Sequence, residues 1–150
     1  MEKLIEITSS EAMIELGEKI GKLLRPNDII TLAGDLGAGK TTLTKGIAKG
    51  LDIKAIVNSP TFTIMKIYDG RLRLFHLDVY RIENVADDFE LEEYFEEGGV
   101  CVIEWATNIQ DILPDKVLDI EIKDLGDNRR VLKISDQSDF YSRIMNEVVI

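Results

Sequence analysis

The tightest constraint on the fold lies at residues 29–42, IITLAGDLGAGKTT. Ile29-Ile30-Thr31-Leu32-Ala33 is a nearly continuous apolar run of strand length, the pattern of a strand buried on both faces of a sheet. Gly34-Asp35-Leu36-Gly37-Ala38-Gly39-Lys40-Thr41 follows at once and satisfies G-x-x-x-x-G-K-[ST]. Residues 40–49 then continue with helical period, Leu43 and Ile47 on the inward side and Gly50 as the stop. A buried strand feeding a glycine loop and a helix aims consecutive backbone N–H groups, and the positive end of the helix dipole, at one point. Glycines there let the backbone approach phosphate oxygens that a Cβ would obstruct. Lys40 is placed to bridge β- and γ-phosphates and the Thr41 hydroxyl to ligate Mg²⁺, so ATP with Mg²⁺ is the expected ligand.

Such a site also needs an acid at the carboxyl end of a strand beside the loop. Two candidates stand out: Glu104 after Val100-Cys101-Val102-Ile103, and Asp78 after Leu74-Phe75-His76-Leu77. Glu104 has the better central-strand context, and a carboxylate there can hold Mg²⁺ through its water shell or orient the attacking water. Thr61, in Ser59-Pro60-Thr61-Phe62-Thr63, either reaches the γ-phosphate or Mg²⁺ in the manner of a nucleotide switch or simply begins a strand. His76 is the only histidine; between Phe75 and Leu77 it reads as an ordinary strand residue. No second histidine is available for a His-based metal site, and no nucleophile triad is visible.

The rest of the chain supplies a mixed framework. Residues 4–7 read as a short first strand. Thr8-Ser9-Ser10-Glu11 has capping-box spacing ahead of a helix that Pro26-Asn27-Asp28 closes. Asp69-Gly70, between strand-like residues 61–68 and 71–77, signals a hairpin in which both turn positions need positive φ. Residues 116–123 and 129–134 form a second hairpin across 125–128. Short helices are expected at 108–113 and at the end, where Phe140, Ile144, Met145 and Val148 are the apolar members. The expected fold is a three-layer α/β, P-loop NTPase-like domain with a mixed parallel/antiparallel central sheet, residues 1–150 forming a single domain.

Charge is unevenly spread. Of the net −10, eight acids and no base fall within 83–97, and the remainder of the chain carries 20 acids against 18 bases. That segment reads as a helix with Phe89, Leu91, Tyr94 and Phe95 inward. Its acidic face repels phosphate backbones and is either a partner-docking face or a solvated surface. Arg71, Arg73, Arg81, Arg129 and Arg130 are the better candidates for any nucleic-acid contact. No stretch nears the roughly 18 apolar residues of a membrane span. MEKLIEITSS lacks leader character, and the lone Cys101 reads as a small buried hydrophobe, so a cytoplasmic protein without membrane contact is expected.

Four segments in this order, GDLGAGKTT, SPTFT, HLDVYR (76–81) and VIEW (102–105), resemble the bacterial TsaE family, formerly YjeE. This is the family of P-loop ATPases required for N6-threonylcarbamoyladenosine in tRNA. The resemblance spans nearly the whole chain, and HxDxYR followed by IEW is more specific than the glycine loop. It implies that Lys40, Thr41 and Thr42 serve phosphate and Mg²⁺, with Thr42 at the α-phosphate, and that Glu104 is the second Mg²⁺-associated acid. Asp78 would be the required aspartate, Thr61 the switch threonine and Trp105 the aromatic beside the metal site. Glu11 and Arg130 are the nearest counterparts of residues that enclose adenine. Phe62 replaces a family tyrosine and keeps its ring. The implied partners are TsaB and TsaD, which carry out threonylcarbamoyl transfer to tRNA, with ATP hydrolysis driving or resetting them. Two other readings of the residues stand beside this one: a small-molecule kinase, disfavoured by the lack of arginine between Arg81 and Arg129, and a nucleotide-gated binding module with negligible hydrolysis.

Overall fold

The structure, a computed structural model, describes residues 1–35, 37–58, 65–78, 91–104 and 111–148. Leu36, Thr61, Phe62, Arg81, Phe89 and Trp105 lie outside these residues, as do the acids 83–90 and the start of the expected helix at 108–113. Elements follow the order β1 (Glu2–Ile7), α1 (Ser10–Leu23), β2 (Ile29–Gly34), α2 (Lys40–Gly50), β3 (Met65–Tyr68), β4 (Leu74–Asp78), α3 (Leu91–Tyr94), β5 (Val100–Glu104), β6 (Leu118–Gly126), β7 (Arg129–Ser135) and α4 (Ser142–Glu147).

All strands join one seven-stranded sheet in the order β1-β7-β6-β2-β5-β4-β3. The centre, β6-β2-β5-β4, is parallel; β7 and β1 add antiparallel to one side and β3 to the other. The sheet is therefore mixed, as its hairpin signals require. Strand alternation divides the core between two faces. Ile30, Leu32, Leu74, Val100 and Val102 pack with Leu16, Ile20, Leu43, Ile47, Ile144 and Met145 of the helices. Ile29, Phe75, Leu77, Cys101 and Ile103 pack with Phe95 on the opposite face. Burial and the Glu97 charge push the Cys101 thiol up to about 12, as befits a packing residue.

The helix beneath the glycine loop is seated by glycines of a different kind. Gly17 and Gly21 of α1 face Gly46 and Gly50 of α2; a Cβ on Gly17 would stand 2.5 Å from the Leu43 carbonyl oxygen and 2.9 Å from Gly46 Cα. The two backbones thus touch directly. Gly50, expected as a terminator, is a buried packing residue, and Leu51 is the C-cap. Arg71 donates to the Gly21 and Leu24 carbonyls, and Arg143 to that of Leu23, so two cations satisfy the orphan acceptors at the end of α1.

Several local expectations are corrected. Ser9, and not Thr8, caps α1: its side chain accepts from Ala12 N at 3.1 Å, which shifts the register so that Glu11 cannot close a capping box. Asp69-Gly70 is no two-residue turn, since neither residue has positive φ and the connection runs over 69–73. Gly70 is there for close approach: Arg71 N donates to Leu51 O at 2.6 Å, and a Cβ on Gly70 would meet Ile53 at 2.7 Å. The positive-φ turn belongs to the second hairpin, at Asp127 (53°) and Asn128 (63°). At the closing helix Phe140 is exposed and its neighbour Tyr141 is buried instead. The Tyr141 hydroxyl accepts from Ile29 N and donates to Lys116 O, each at 3.0 Å, and burial pushes its pKa up to about 12.

Candidate functional site

The glycine loop leaves β2 at Gly34 and turns back at Ala38, whose N–H donates to Asp35 O at 3.0 Å. Gly37 (φ 78°) and Gly39 (φ 118°) take left-handed conformations that a side chain would strain, and Gly39 opens α2. Unlike α1, with its Ser9 cap and Glu11 in the first turn, α2 begins with neither a side-chain cap nor an acid. An 11-residue helix with such a start favours an anion from outside itself.

Lys40 is buried at this point. Its Nζ donates to Gly34 O at 2.8 Å and stands 3.9 Å from Glu104 Oε1. Both side chains are only 6% exposed, so this is an ion pair withdrawn from water, in which either partner's removal strands a charge. Glu104 ends β5 and Asp78 ends β4, and the two are register partners in the parallel pair. The fold therefore brings together Lys40, Glu104 and Asp78, from three separate stretches of sequence, with Thr41 half-buried in the first turn of α2. The other oxygen of the carboxylate, Glu104 Oε2, lies 2.8 Å from His76 Nε2. By its sequence context alone His76 reads as an ordinary strand residue. The signal available was its spacing: alternation places His76 and Asp78 on one face of β4, toward the side where Glu104 of the neighbouring strand also points.

On the α1 side of the loop is a cavity of about 330 Å³. Its walls are Thr8, Ser9, Ser10, Glu11 and Met13 from the start of α1; Gly37, Ala38, Gly39 and Thr42 from the loop and α2; and Asn128 with Arg130 from the β6–β7 hairpin. Glu11 and Arg130, singled out from sequence, thus line one cavity with the loop. Asn128 and the 8–10 stretch were not foreseen; hairpin geometry delivers Asn128. Arg130 braces the loop, its Nε donating to Ala38 O at 3.0 Å and its Nη1 pairing with Asp124 at 3.0 Å.

The other candidate arginines do not gather into one patch. Arg71 and Arg73 precede β4, at the opposite end of the parallel strands from Arg129 and Arg130, and three strands separate β4 from β7. Arg73 pairs with Asp69 and Arg129 with Glu6, each at 2.8 Å. Among the described residues no group of three or more His, Cys, Asp or Glu could hold a metal by itself, and no helix is long and apolar enough to cross a membrane.

A central parallel strand, a glycine-rich turn and a helix that begins on lysine, set in a three-layer mixed sheet, define an α/β protein of the P-loop NTPase-like class. Residues 7–132 match the family model described as "Threonylcarbamoyl adenosine biosynthesis protein TsaE", and the chain belongs to the TsaE family. It is 51% identical over 125 residues to tRNA threonylcarbamoyladenosine biosynthesis protein TsaE of Bacillus subtilis, covering 83% of this chain and 79% of that protein. The Haemophilus influenzae protein of the same name is 34% identical over 159 residues, with 97% and 98% of the two chains covered. The crystal structure of YdiB from Bacillus subtilis superposes with a TM-score of 0.87 at 40% identity, over 98% of this chain and 93% of that one.

Proposed function

We propose that the chain is an ATP-binding and ATP-hydrolysing accessory subunit of the cytoplasmic machinery that makes threonylcarbamoyladenosine in tRNA, its ATP cycle driving or resetting a TsaB–TsaD threonylcarbamoyl transferase. The observation that carries this reading is the buried Lys40–Glu104 pair at the mouth of the glycine loop, with Asp78 beside Glu104. A turn that is merely structural gives no reason to bury a lysine against a carboxylate at a helix start that has no cap of its own.

The residues suit ATP with Mg²⁺. The loop N–H groups from Gly34 to Thr42 cradle phosphates, and Lys40 exchanges Gly34 O for phosphate oxygens. Thr41 and Glu104 would hold Mg²⁺, the few protein ligands being completed by phosphate and water, as this ion prefers. When bound, Mg²⁺ supplies neutralisation of the charge developing on the transferred phosphoryl group. Asp78 stays beside Glu104 to share in orienting water at the strand ends, while Thr61 and Trp105 complete the set proposed from sequence. The cavity beside Thr42 accepts the nucleoside between Glu11 and Arg130.

Reconstitution with TsaB, TsaD, threonylcarbamoyl-AMP and tRNA tests this. The expected result is repeated rounds of modification that require ATP and release inorganic phosphate, both lost in Lys40→Ala. Full multiple-turnover modification by Lys40→Ala, or phosphate appearing on a metabolite in place of water, would sink the reading.

A further inference from the structure

We propose that His76 is the positioning residue of Glu104, holding the carboxylate in the orientation that its work at the nucleotide requires; this rests on the proposed role of Glu104. The ring is fully buried (0% exposed) on β4, and its Nε2 lies 2.8 Å from Glu104 Oε2. The opposite oxygen, Oε1, faces Lys40 Nζ at 3.9 Å. Two groups thus fix the two oxygens of one carboxylate, and they differ in what nucleotide does to them. Lys40 is drawn away toward the phosphates. His76 lies inside a strand between Phe75 and Leu77, with no freedom to follow, so its hold on Glu104 persists through the cycle.

The second observation is the other ring nitrogen. A histidine buried only to knit a core has both nitrogens satisfied, because an unmet buried polar atom is costly. Here Nδ1 has no partner among the described residues, so the ring makes one bond, to Glu104. With an ionised carboxylate, which can only accept, a neutral ring making this bond carries its hydrogen on Nε2 and leaves a lone pair on Nδ1, a smaller loss than a stranded N–H. This is the arrangement of an outer residue that orients a ligand without touching the ligand's own target.

Because the chain has one histidine, its ring nitrogens can be read directly by long-range ¹H–¹⁵N correlation in the whole protein. The Nε2–H tautomer is expected, with signals that move in Glu104→Gln; the Nδ1–H tautomer would overturn the proposal. In turnover, His76→Leu should lose roughly 10–100-fold in kcat with little change in KM, while His76→Gln, whose amide can donate from near the Nε2 position, stays within about threefold of the parent. His76→Leu combined with Glu104→Gln should be no slower than Glu104→Gln alone, because the two act as one unit. If His76→Leu does not fold, His76→Asn replaces it, having the polarity without the reach. Equal loss in His76→Gln and the short variant, or losses that multiply in the double variant, overturn the positioning role. Parent-like turnover in Glu104→Gln instead overturns the reading of Glu104 itself.

Discussion

Lys40 and Glu104 face one another at 3.9 Å, which makes the sign of a charge change at Glu104 depend on the metal. The Glu104 and Asp78 carboxylates end adjacent strands beside the glycine loop, so both would repel a metal-free triphosphate bound as proposed. Gln at position 104 can still accept from His76 while removing one negative charge. Glu104→Gln is therefore expected to tighten ATP binding about two- to tenfold in chelator, roughly 0.4–1.4 kcal/mol, and to lose most of the affinity that Mg²⁺ adds to the parent. Titration calorimetry with and without Mg²⁺ reads both; weaker binding in chelator would remove the repulsion argument. At this scale the sequence was informative where chemistry constrains residue type. Gly39, Lys40 and Glu104 carry their proposed roles in their identity and flanks. His76 does not, since only the pairing of β4 with β5 shows which side chain its ring meets.

At the scale of elements, α2 is positioned by glycines whose purpose is proximity. Replacing glycine by alanine within a helix ordinarily stabilises it by about 1 kcal/mol through backbone entropy. At Gly46 the added Cβ would stand 2.9 Å from Gly17 Cα and press on the Ile14 carbonyl, backbone that cannot rotate away. Gly46→Ala is thus expected to destabilise by about 1–3 kcal/mol, lowering Tm by roughly 2–10 °C, with calorimetry as the check. A raised Tm would show that the helices can part at no cost. The spacing Gly17/Gly21 and Gly46/Gly50 was visible in the sequence, but spacing alone does not say that two such faces meet. The hairpins teach the same lesson. Asp69-Gly70 and Asp127-Asn128 both look like turns, and whether Gly70 supplies positive φ or close approach is decided by the Leu51–Ile53 backbone lying against it. Strand existence follows from local pattern; turn geometry follows from what packs on the turn.

For the whole molecule, the important feature is where the cavity draws its walls. The 8–13 stretch, the loop with α2, and the β6–β7 hairpin are distant in sequence, and strand order sets β7 between β1 and β6, so that Arg130 reaches the Ala38 carbonyl. The apolar run at 29–33 marks the central strand and the hairpin signals mark the mixed sheet and the β6–β7 pair, while the addition of β1 to β7, which brings the 8–13 stretch to the hairpin, is a long-range pairing that no local pattern specifies. A nucleotide in that cavity would contact three parts distant in sequence, and binding only to the folded chain must raise its stability. At about 100 times the dissociation constant the gain is about 2.7 kcal/mol, or a rise in Tm of roughly 5–10 °C for a chain of this size. Arg130→Ala removes both a cavity wall and the brace on Ala38, so its ligand-free Tm should fall modestly and the rise on adding ATP should shrink. Thr42→Ala, which touches the cavity but not the brace, should shrink the rise while leaving the ligand-free Tm within about 1–2 °C of the parent. Thermal melts of the three chains across an ATP series separate bracing from binding. An undiminished rise in Arg130→Ala would place the nucleoside away from the β6–β7 hairpin.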